Sequence, residues 1–332
     1  NKKVDPFHDS QGSIQDQKHS FEQDPTIFSD EKSSNVTYHQ EISPLGQGSF
    51  GSVKFVYDSK SNEFCAKKEP LKSDNKEESW KYITAWKTEL KILKYIQKLN
   101  EPDLLEIKEF DPAGNYFLME CGRGDLDFFK NYLMNEVKPD DKTIETIFLN
   151  LYYQLTNQVF ILHKHSIFHG DIKPANIIIA KQKENMVIKL IDFNVAELLK
   201  TSGKQYLWPR GTRKFMHLAF SVVKTGEKAL VDPLACDLHS ARMSIITLVK
   251  EIAKCRTYDL KSRFPKLNKA LSMNCKSLNK PQPFPKEIVK EIMDDYEAVF
   301  LVEQLAKQNI EEAITFSKAP GDLLQVIERS PR

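Results

Sequence analysis

The side chains best suited to chemistry lie in one central stretch of the chain: Asp171, Lys173 and Asn176, followed sixteen residues later by Asp192. Their types match the needs of phosphoryl transfer. One carboxylate orients an attacking hydroxyl, a cation steadies the moving phosphoryl group, and an amide with a second carboxylate binds Mg²⁺. The stretch therefore predicts phosphoryl transfer, with Asp171 and Lys173 acting on the reacting groups and with Asn176 and Asp192 as metal ligands.

Three glycines, Gly46, Gly48 and Gly51, lie in a GxGxxGxV pattern that ends at Val53. Strand-like sequence on both sides predicts a turn between two strands. Glycines let a backbone approach phosphates closely, although a GxGxxG turn alone is equally compatible with a plain hairpin. A Rossmann turn would instead open a helix, so this setting does not favour that fold.

Together these motifs resemble, in type and order, those of the eukaryotic protein kinases, from about Ile42 to about Val249. The resemblance implies an α+β fold with a β-rich N-lobe and a helical C-lobe. It also implies ATP and Mg²⁺ as cofactors and a protein substrate that receives the γ-phosphate. The motif Asp-Ile-Lys-Pro-Ala-Asn, which contains Lys173, resembles the catalytic loop of serine/threonine kinases more than that of tyrosine kinases. A weaker resemblance, carried by Met-Glu-Cys-Gly at 119–122, is to the monopolar-spindle kinase group.

The resemblance also implies which residues surround the nucleotide. Met119 would be the gatekeeper of the hinge between the lobes, and the backbone of Glu120 and Cys121 would bond the adenine. Three apolar side chains would hold the adenine ring between the lobes: Val53, Ala66 and Ile178.

The lysine that grips the phosphates is either Lys67 or Lys68, since Phe-Cys-Ala-Lys-Lys at 64–68 can be aligned with the family's V-A-I-K in two ways. Only one of two adjacent strand residues can face the nucleotide. We favour Lys67, because the other alignment places a charged Lys67 where an apolar residue usually sits, and burying an unpaired lysine is costly. Glu89, which opens Glu-Leu-Lys-Ile-Leu, is the expected ion-pair partner.

Three positions depart from the family. Gly170 replaces the arginine of His-Arg-Asp, so the usual partner of a phosphate on the activation loop is missing, although Arg210 and Arg213 lie near that loop in sequence. Asn194 replaces the glycine of Asp-Phe-Gly, a mild change because asparagine tolerates positive φ. His-Leu-Ala, ending at Ala219, replaces Ala-Pro-Glu and lacks its glutamate.

These departures leave two other functions open. One is a pseudokinase, a binding module without turnover; the intact lysine, glutamate, Asp171, Asn176 and Asp192 argue against it. The other is a small-molecule phosphotransferase of the aminoglycoside or choline kinase type, in which His-Gly-Asp is usual. The complete glycine loop, Lys173 and Asp-Phe-Asn favour a protein kinase.

Composition narrows the class without identifying it. The 332 residues are 40% apolar and 28% charged, with a net charge of +2, which is too small to argue for nucleic acid or a membrane surface. No apolar run has the length of a membrane helix, so no membrane insertion is expected. The chain begins at Asn1, as a piece of a longer protein would. Five cysteines without metal-ligand spacing predict reduced thiols and an intracellular protein, in cytoplasm or nucleus: Cys65, Cys121, Cys236, Cys255 and Cys275.

Patterning along the chain predicts a disordered leader over 1–38, a kinase domain over 39–320 and a tail over 321–332. The N-lobe is expected over 39–121 and the C-lobe over 122–320, with a loop-rich insert at about 255–285. Strands are expected near 42–45, 52–57, 63–67, 104–110 and 116–121, and helices over 77–99, 126–134, 143–165 and 286–317.

Overall fold

Five strands near the beginning of the described chain form one antiparallel sheet. The computed structural model describes residues 39–182, 185–224 and 226–276; the predicted leader, the helix at 286–317 and the tail lie outside them. The strand order is β1-β2-β3-β5-β4, and every neighbouring pair is antiparallel. The strands are β1 (His39–Gln47), β2 (Gly51–Asp58), β3 (Glu63–Pro70), β4 (Ile107–Phe110) and β5 (Phe117–Glu120). All five predicted strands are thereby confirmed.

Helix α1 (Lys76–Leu99) crosses over between β3 and β4. The side chain of Asn75 accepts the N–H groups of Glu77 and Glu78, which satisfies donors that the first turn cannot pair itself. Trp86, Leu93 and Ile96 form an apolar stripe at the helical spacing that predicts α1, and all three are buried. The ring of Trp86 stacks on Phe117 of β5 with centroids 5.3 Å apart. Because Glu89 shares this buried face, the packing of α1 fixes where its carboxylate lies.

The second part of the chain is mainly helical, which confirms the two-lobed α+β fold. Helices α3 and α5 pack together at its centre, and one continuous apolar core joins them to α1 and the five-stranded sheet. The helices are α2 (Leu126–Tyr132), extended by a π-helical turn at Leu133–Val137, α3 (Asp141–Lys164), α4 (Leu218–Ser221), α5 (Pro233–Ile252), α6 (Leu260–Arg263) and α7 (Pro265–Lys276). Of the helices in these described ranges, none is both long enough and apolar enough to span a bilayer.

Three short strand pairs carry the loops of this helical lobe. Strand β6 (Ile167–Phe168) pairs with β9 (Glu197–Leu198), and β7 (Ile177–Gln182) pairs with β8 (Asn185–Leu190). Strand β10 (Gln205–Leu207) pairs with β11 (Ala229–Val231). The sequence of strands places residues 169–176 between β6 and β7, and residues 191–196 between β8 and β9.

The loop-rich insert predicted at about 255–285 is wrong for its described part, where α6 and α7 lie. Leu260, Phe264, Leu267 and Leu271 are all at most 3% exposed and recur at helical spacing. Lys261, Lys266 and Lys269, which are among the residues that predict a loop, are exposed on the other faces of these helices. Pro265 begins α7, a position where its missing N–H removes no helical bond. Residues 277–285 lie outside the described ranges.

Candidate active site

The loop between β6 and β7 brings Asp171, Lys173 and Asn176 together. Lys173 Nζ donates to Asp171 Oδ2 at 2.9 Å, and Asn176 Nδ2 donates to the same oxygen at 3.2 Å. The other oxygen, Oδ1, accepts the backbone N–H of Thr212 at 2.6 Å, and Lys173 also bonds Thr212 Oγ1 at 3.0 Å. Sequence reasoning missed Thr212 as part of this cluster. Asp171 is therefore held from both its own loop and a distant segment.

The carboxylate of Asp237, near the start of α5, holds this loop by hydrogen bonds to its backbone. Asp237 is 1% exposed, and its carboxylate accepts the backbone N–H groups of His169 at 2.9 Å and Gly170 at 3.0 Å. His163 of α3 lies 2.8 Å from the same carboxylate. A buried carboxylate with three hydrogen-bond partners fixes the backbone directly before Asp171.

The ring of His169 has a structural role, as the resemblance implied. It is fully buried and packs on Phe193 with centroids 4.9 Å apart. Its Nδ1 accepts the N–H of Asp171 at 3.2 Å, so a neutral ring donates from Nε2 to the carbonyl of Ile191, 3.1 Å away. His169 thus ties the loop of Asp171 to the segment that carries Asp192.

Asn176 and Asp192 are brought near each other by a backbone bond, in which the N–H of Ile191 donates to the carbonyl of Asn176 at 3.0 Å. Asp192 has φ +66°, whereas Asn194 is not among the residues with positive φ. Tolerance of positive φ, the reason for expecting the asparagine to be a mild change, is therefore not needed at Asn194. Its side chain instead donates from Nδ2 to Asp192 Oδ1 at 2.9 Å and orients that carboxylate.

Lys68, not Lys67, reaches Glu89 and Asp192. Its ammonium lies 2.7 Å from Glu89 Oε1 and 2.9 Å from Asp192 Oδ1, and both Lys68 and Glu89 are buried. Burial alone lowers the pKa of Lys68, but the two carboxylates outweigh it and hold the pKa above its usual value. Burial raises the pKa of Glu89 against the pull of Lys68. The expected partnership of Glu89 is thus present, with the neighbouring lysine.

Our preference for Lys67 is corrected by the register of β3. Lys68 lies opposite Val53 of β2 and on the same face as Ala66, two residues before it. Lys67 lies on the other face, where Nζ is 2.8 Å from Glu69 Oε1 and 4.6 Å from the ring centroid of Tyr116. The premise that Lys67 would be buried without a partner was wrong, because a carboxylate and an aromatic ring accompany its charge.

The glycine turn joins β1 to β2 as a hairpin, closed by a bond from Gly48 N–H to the carbonyl of Gly51 at 2.9 Å. Gly51 is required by packing, since a Cβ there would lie 2.9 Å from the carbonyl oxygen of Glu69 and 3.0 Å from Lys68 Cε. The other two glycines face open space. No described atom lies within 4 Å of a Cβ placed on Gly46, and only the Gly51 carbonyl lies that near one on Gly48.

The connection between the lobes begins at Met119 and Glu120 in β5 and continues through Cys121. It runs along β7, with a bond from Arg123 N–H to the carbonyl of Ile179 at 2.7 Å. Gly122 ends the Met-Glu-Cys-Gly stretch noted in the sequence, and a Cβ there would lie 2.8 Å from Ile178 Cβ. Burial raises the pKa of the Cys121 thiol to about 12. Val53, Ala66 and Ile178 all pack on the main core.

A buried lysine, Lys189 of β8, is a further feature that sequence reasoning did not identify. It is 2% exposed, and its ammonium donates to the carbonyl of Pro102 and, at 3.0 Å, to that of Leu104. Glu120 Oε1 lies 4.0 Å away. Lys189 therefore binds the segment between α1 and β4 to the helical lobe, close to the connection between the lobes.

Residues 217–219 replace the family's Ala-Pro-Glu, and they place the imidazole ring of His217 beside that of His239. His217 Nδ1 accepts the N–H of Ala219 at 3.2 Å and so caps α4. Its ring packs edge-on against His239 of α5, with centroids 5.1 Å apart. Burial lowers the pKa of His239 to about 4, with His217 and Arg242 adding to the effect. Neutral rings in contact thus occupy this region.

Comparison with known proteins shows which family the sequence matches. The family model described as "Protein kinase domain" matches residues 39–326. Cyclin-dependent kinase-like 2 of Oryctolagus cuniculus is 28% identical over 203 residues, 60% of this chain and 33% of that protein. Serine/threonine-protein kinase ICK of Rattus norvegicus is 28% identical over 163 residues, 48% of this chain and 23% of its own. Dual specificity protein kinase Ttk of Danio rerio is 28% identical over 159 residues, 47% of this chain and 14% of its own.

The matched segment spans at most one third of the length of these relatives. The family model, in contrast, covers most of this chain, from the first described strand past the last described helix. It includes the glycine turn, Lys68, Glu89, the loop of Asp171 and Asp192. The chain belongs to the protein kinase domain family.

Proposed function

We propose that the chain is a protein serine/threonine kinase that transfers the γ-phosphate of Mg·ATP to a protein hydroxyl. One observation carries the proposal: Asp192, which completes the Lys68–Glu89–Asp192 ion cluster, and the Asp171–Lys173–Asn176 cluster lie on adjoining loops joined by the bond from Ile191 to Asn176. Phosphoryl transfer needs a cation that binds the phosphates and a carboxylate that binds the metal. It also needs a second carboxylate, here beside a lysine, that orients the attacking hydroxyl.

Lys68 is the residue we assign to the α- and β-phosphates. Its two carboxylate partners keep the ammonium charged despite burial, and a charged ammonium is what a phosphate requires. Glu89 is the fixed partner that holds Lys68 in place, because α1 buries its carboxylate against the sheet. Gly46 and Gly48 leave room for phosphates beside the turn. Packing within the described chain does not require glycine at either position, so we attribute both glycines to close approach of a phosphate to the backbone.

Asp192 and Asn176 are the residues that would hold Mg²⁺. Both offer oxygen donors, the type Mg²⁺ prefers. The bonds of Asn176 to Asp171 use its Nδ2, and those of Asp192 to Lys68 and Asn194 use Oδ1, so Asn176 Oδ1 and Asp192 Oδ2 are not consumed by them. The described residues hold no group of three or more His, Cys, Asp or Glu suited to a metal, which fits an ion completed by phosphate and water. When bound, Mg²⁺ neutralises phosphate charge.

Asp171 orients the substrate hydroxyl and accepts its proton, and Lys173 steadies the transferred group. The carboxylate is already held by bonds from Thr212 and Lys173, so it meets the hydroxyl in one orientation. Lys173 in this position, and the printed names of relatives such as serine/threonine-protein kinase ICK, favour serine or threonine as the acceptor. The adenine would lie among Val53, Ala66 and Ile178, with its edge on the backbone of Glu120 and Cys121.

We further propose that activity does not depend on a phosphate in the activation loop. Gly170 cannot bind such a phosphate, because it has no side chain at the position of the family's arginine. The pseudokinase alternative is favoured only by the departures at Gly170, Asn194 and Ala219. Of these, Asn194 orients Asp192 without displacing Lys68 from it.

The test is transfer of labelled γ-phosphate from Mg·ATP to generic protein substrates and to the chain itself. The matched control is Asp171→Asn, which changes one carboxylate to an amide of the same shape. Transfer by the wild type that is lost in the control supports the proposal. Nucleotide binding without any transfer would establish the pseudokinase alternative, and transfer to aminoglycosides or choline but not to protein would establish a small-molecule phosphotransferase.

A further inference from the structure

Arg210 occupies the space that a side chain at position 170 would need. Gly170 has φ +78°, and a Cβ built on it would lie 2.8 Å from Arg210 Cδ and 3.2 Å from Arg210 Cγ. The aliphatic part of Arg210 therefore lies directly across the backbone of Gly170. A side chain at position 170, such as the family's arginine, would clash with Arg210 in its present position. The glycine at 170 and the position of Arg210 therefore depend on each other.

The guanidinium of Arg210 is held by three groups on two different segments. Its Nη2 lies 2.6 Å from Glu197 Oε2 in β9, and its Nη1 donates to the carbonyl of Val195 at 3.1 Å. Its Nε donates to the carbonyl of Trp208 at 3.3 Å, and its centre lies 5.6 Å from the ring centroid of Phe168 in β6. The side chain is 16% exposed. A planar fork with several carbonyl and carboxylate partners holds one geometry.

The two residues after Arg210 lie against the loop of Asp171, and the second of them bonds its carboxylate. Gly211 has φ +90°, and a Cβ there would overlap the carbonyl oxygen of Gly170. Thr212 then donates its N–H to Asp171 Oδ1 and accepts from Lys173. Residues 210–212 thus lie along the loop of Asp171. The ion pair and hydrogen bonds of Arg210 hold the first of these residues in place.

We infer that Arg210, paired with Glu197, is a positioning residue that holds Thr212 on Asp171. The inference rests on the proposed function and adds to it the group that does this work without a phosphate. Glu197 supplies the negative charge and Arg210 the positive one, and Gly170 leaves the space that the aliphatic part of Arg210 occupies. The carboxylate of Asp171 is then oriented in the unmodified chain.

The experiment compares Arg210→Gln and Glu197→Gln with Lys204→Gln, which removes an exposed charge from the same segment and serves as the matched control. Two quantities are measured: hydrogen exchange of peptides covering residues 205–214, and kcat with the KM for ATP. Arg210→Gln should speed exchange at Thr212 and lower kcat by about tenfold with KM for ATP unchanged, because a loosely placed Asp171 affects the reaction and not nucleotide binding. Glu197→Gln should act in the same direction by about threefold.

Arg210→Lys provides the conservative comparison, since it keeps the charge opposite Glu197 and loses the fork. It should recover part of the kcat lost in Arg210→Gln. A purely structural role would lower the thermal midpoint without this split between kcat and KM. If Arg210→Gln does not fold, Glu197→Gln decides, because it leaves Arg210 and its packing on Phe168 in place.

Exchange and kcat in the arginine and glutamate variants equal to those of Lys204→Gln would overturn the inference. Faster exchange with unchanged kcat would overturn the positioning role as well. If the wild type transfers no phosphate, the proposed function fails, and exchange at Thr212, which needs neither nucleotide nor turnover, still decides whether Arg210 holds that residue on Asp171.

Discussion

Lys67 and Lys68 are adjacent in β3, yet their ammonium groups belong to ion pairs on opposite faces of the sheet. Lys68 lies between Glu89 and Asp192, and Lys67 lies beside Glu69 under the ring of Tyr116. A shift of one residue in the pairing of β3 would exchange the two roles. The pair therefore offers a matched comparison within one strand.

Lys68→Met should abolish measurable phosphoryl transfer, whereas Lys67→Met should retain most of it. The first change leaves Glu89 and Asp192 facing each other without a cation, which should also lower the free energy of unfolding by about 3 kcal/mol. Steady-state turnover and chemical denaturation of both variants provide the check. Equal losses in the two variants would contradict the assignment of Lys68.

Asp171→Asn should lower kcat by about 10²-fold to 10⁴-fold while the affinity for Mg·ATP stays close to that of the wild type. The amide cannot accept a proton. In addition, its NH₂ group must face one of the donors now bonded to the carboxylate, Thr212 or Lys173. Turnover and calorimetric binding are measured on the same preparation. Unchanged turnover would exclude Asp171 as the group that orients the hydroxyl.

Asp192→Ala should remove the dependence of nucleotide binding on Mg²⁺. Its carboxylate is the charged member of the proposed metal site, and carboxylate loss weakens binding of a hard cation. Titration of ATP with and without Mg²⁺ gives the measurement, and the metal-free titration is the internal control. If Mg²⁺ still tightened ATP binding by the wild-type factor, another residue would have to hold the ion.

Phosphatase treatment of active enzyme should leave turnover within about tenfold of the starting value, equivalent to about 1.4 kcal/mol of barrier. The acceptors between Asn194 and Gly211 are Thr201, Ser202 and Tyr206. Mass spectrometry must first confirm that they carry no phosphate. A larger loss would show that the loop is a phosphorylation switch despite Gly170.

His239 should make the fold sensitive to acid. Burial lowers its folded pKa to about 4, whereas a free imidazole titrates near about 6.5, so between these values the unfolded chain binds the additional proton. The stability gained by a neutral ring is present above about pH 6.5 and falls as the pH drops toward 4, by up to about 1.4 kcal/mol per pH unit.

His239→Gln should therefore lose less stability than the wild type over that range. Urea denaturation of both proteins at several pH values between 4.5 and 7.5 measures the difference. Parallel stability profiles would mean that this ring does not titrate as its burial implies.

Sequence patterns predicted those parts of the fold that depend on local periodicity. The stripe of Trp86, Leu93 and Ile96 located α1 almost to its ends, and the close spacing of Asp171, Lys173 and Asn176 predicted their cluster. In contrast, the Lys, Asn and Ser residues of α7 predict a loop, because they outnumber the few apolar residues of its buried face.

The rest of the site depended on contacts between segments far apart in sequence. Thr212 lies 41 residues from Asp171, and no local pattern connects them. The choice between Lys67 and Lys68 depended on Glu69 and Tyr116, whose contacts with Lys67 are set by the strand pairing and not by composition. The role of Arg210 likewise follows from the space at Gly170, which only the folded backbone defines.

The thiol of Cys121 has a consequence for inhibitor chemistry. It lies in the connection between the lobes, beside the proposed adenine site, and this location makes it an obvious target for ligands that carry an electrophile. With a pKa raised to about 12 by burial, fewer than about one thiol in 10⁴ is ionised at neutral pH, and the thiolate is the reactive form. Acrylamide-type ligands directed at Cys121 should therefore label it slowly, and reversible binders are the better starting point for this cleft.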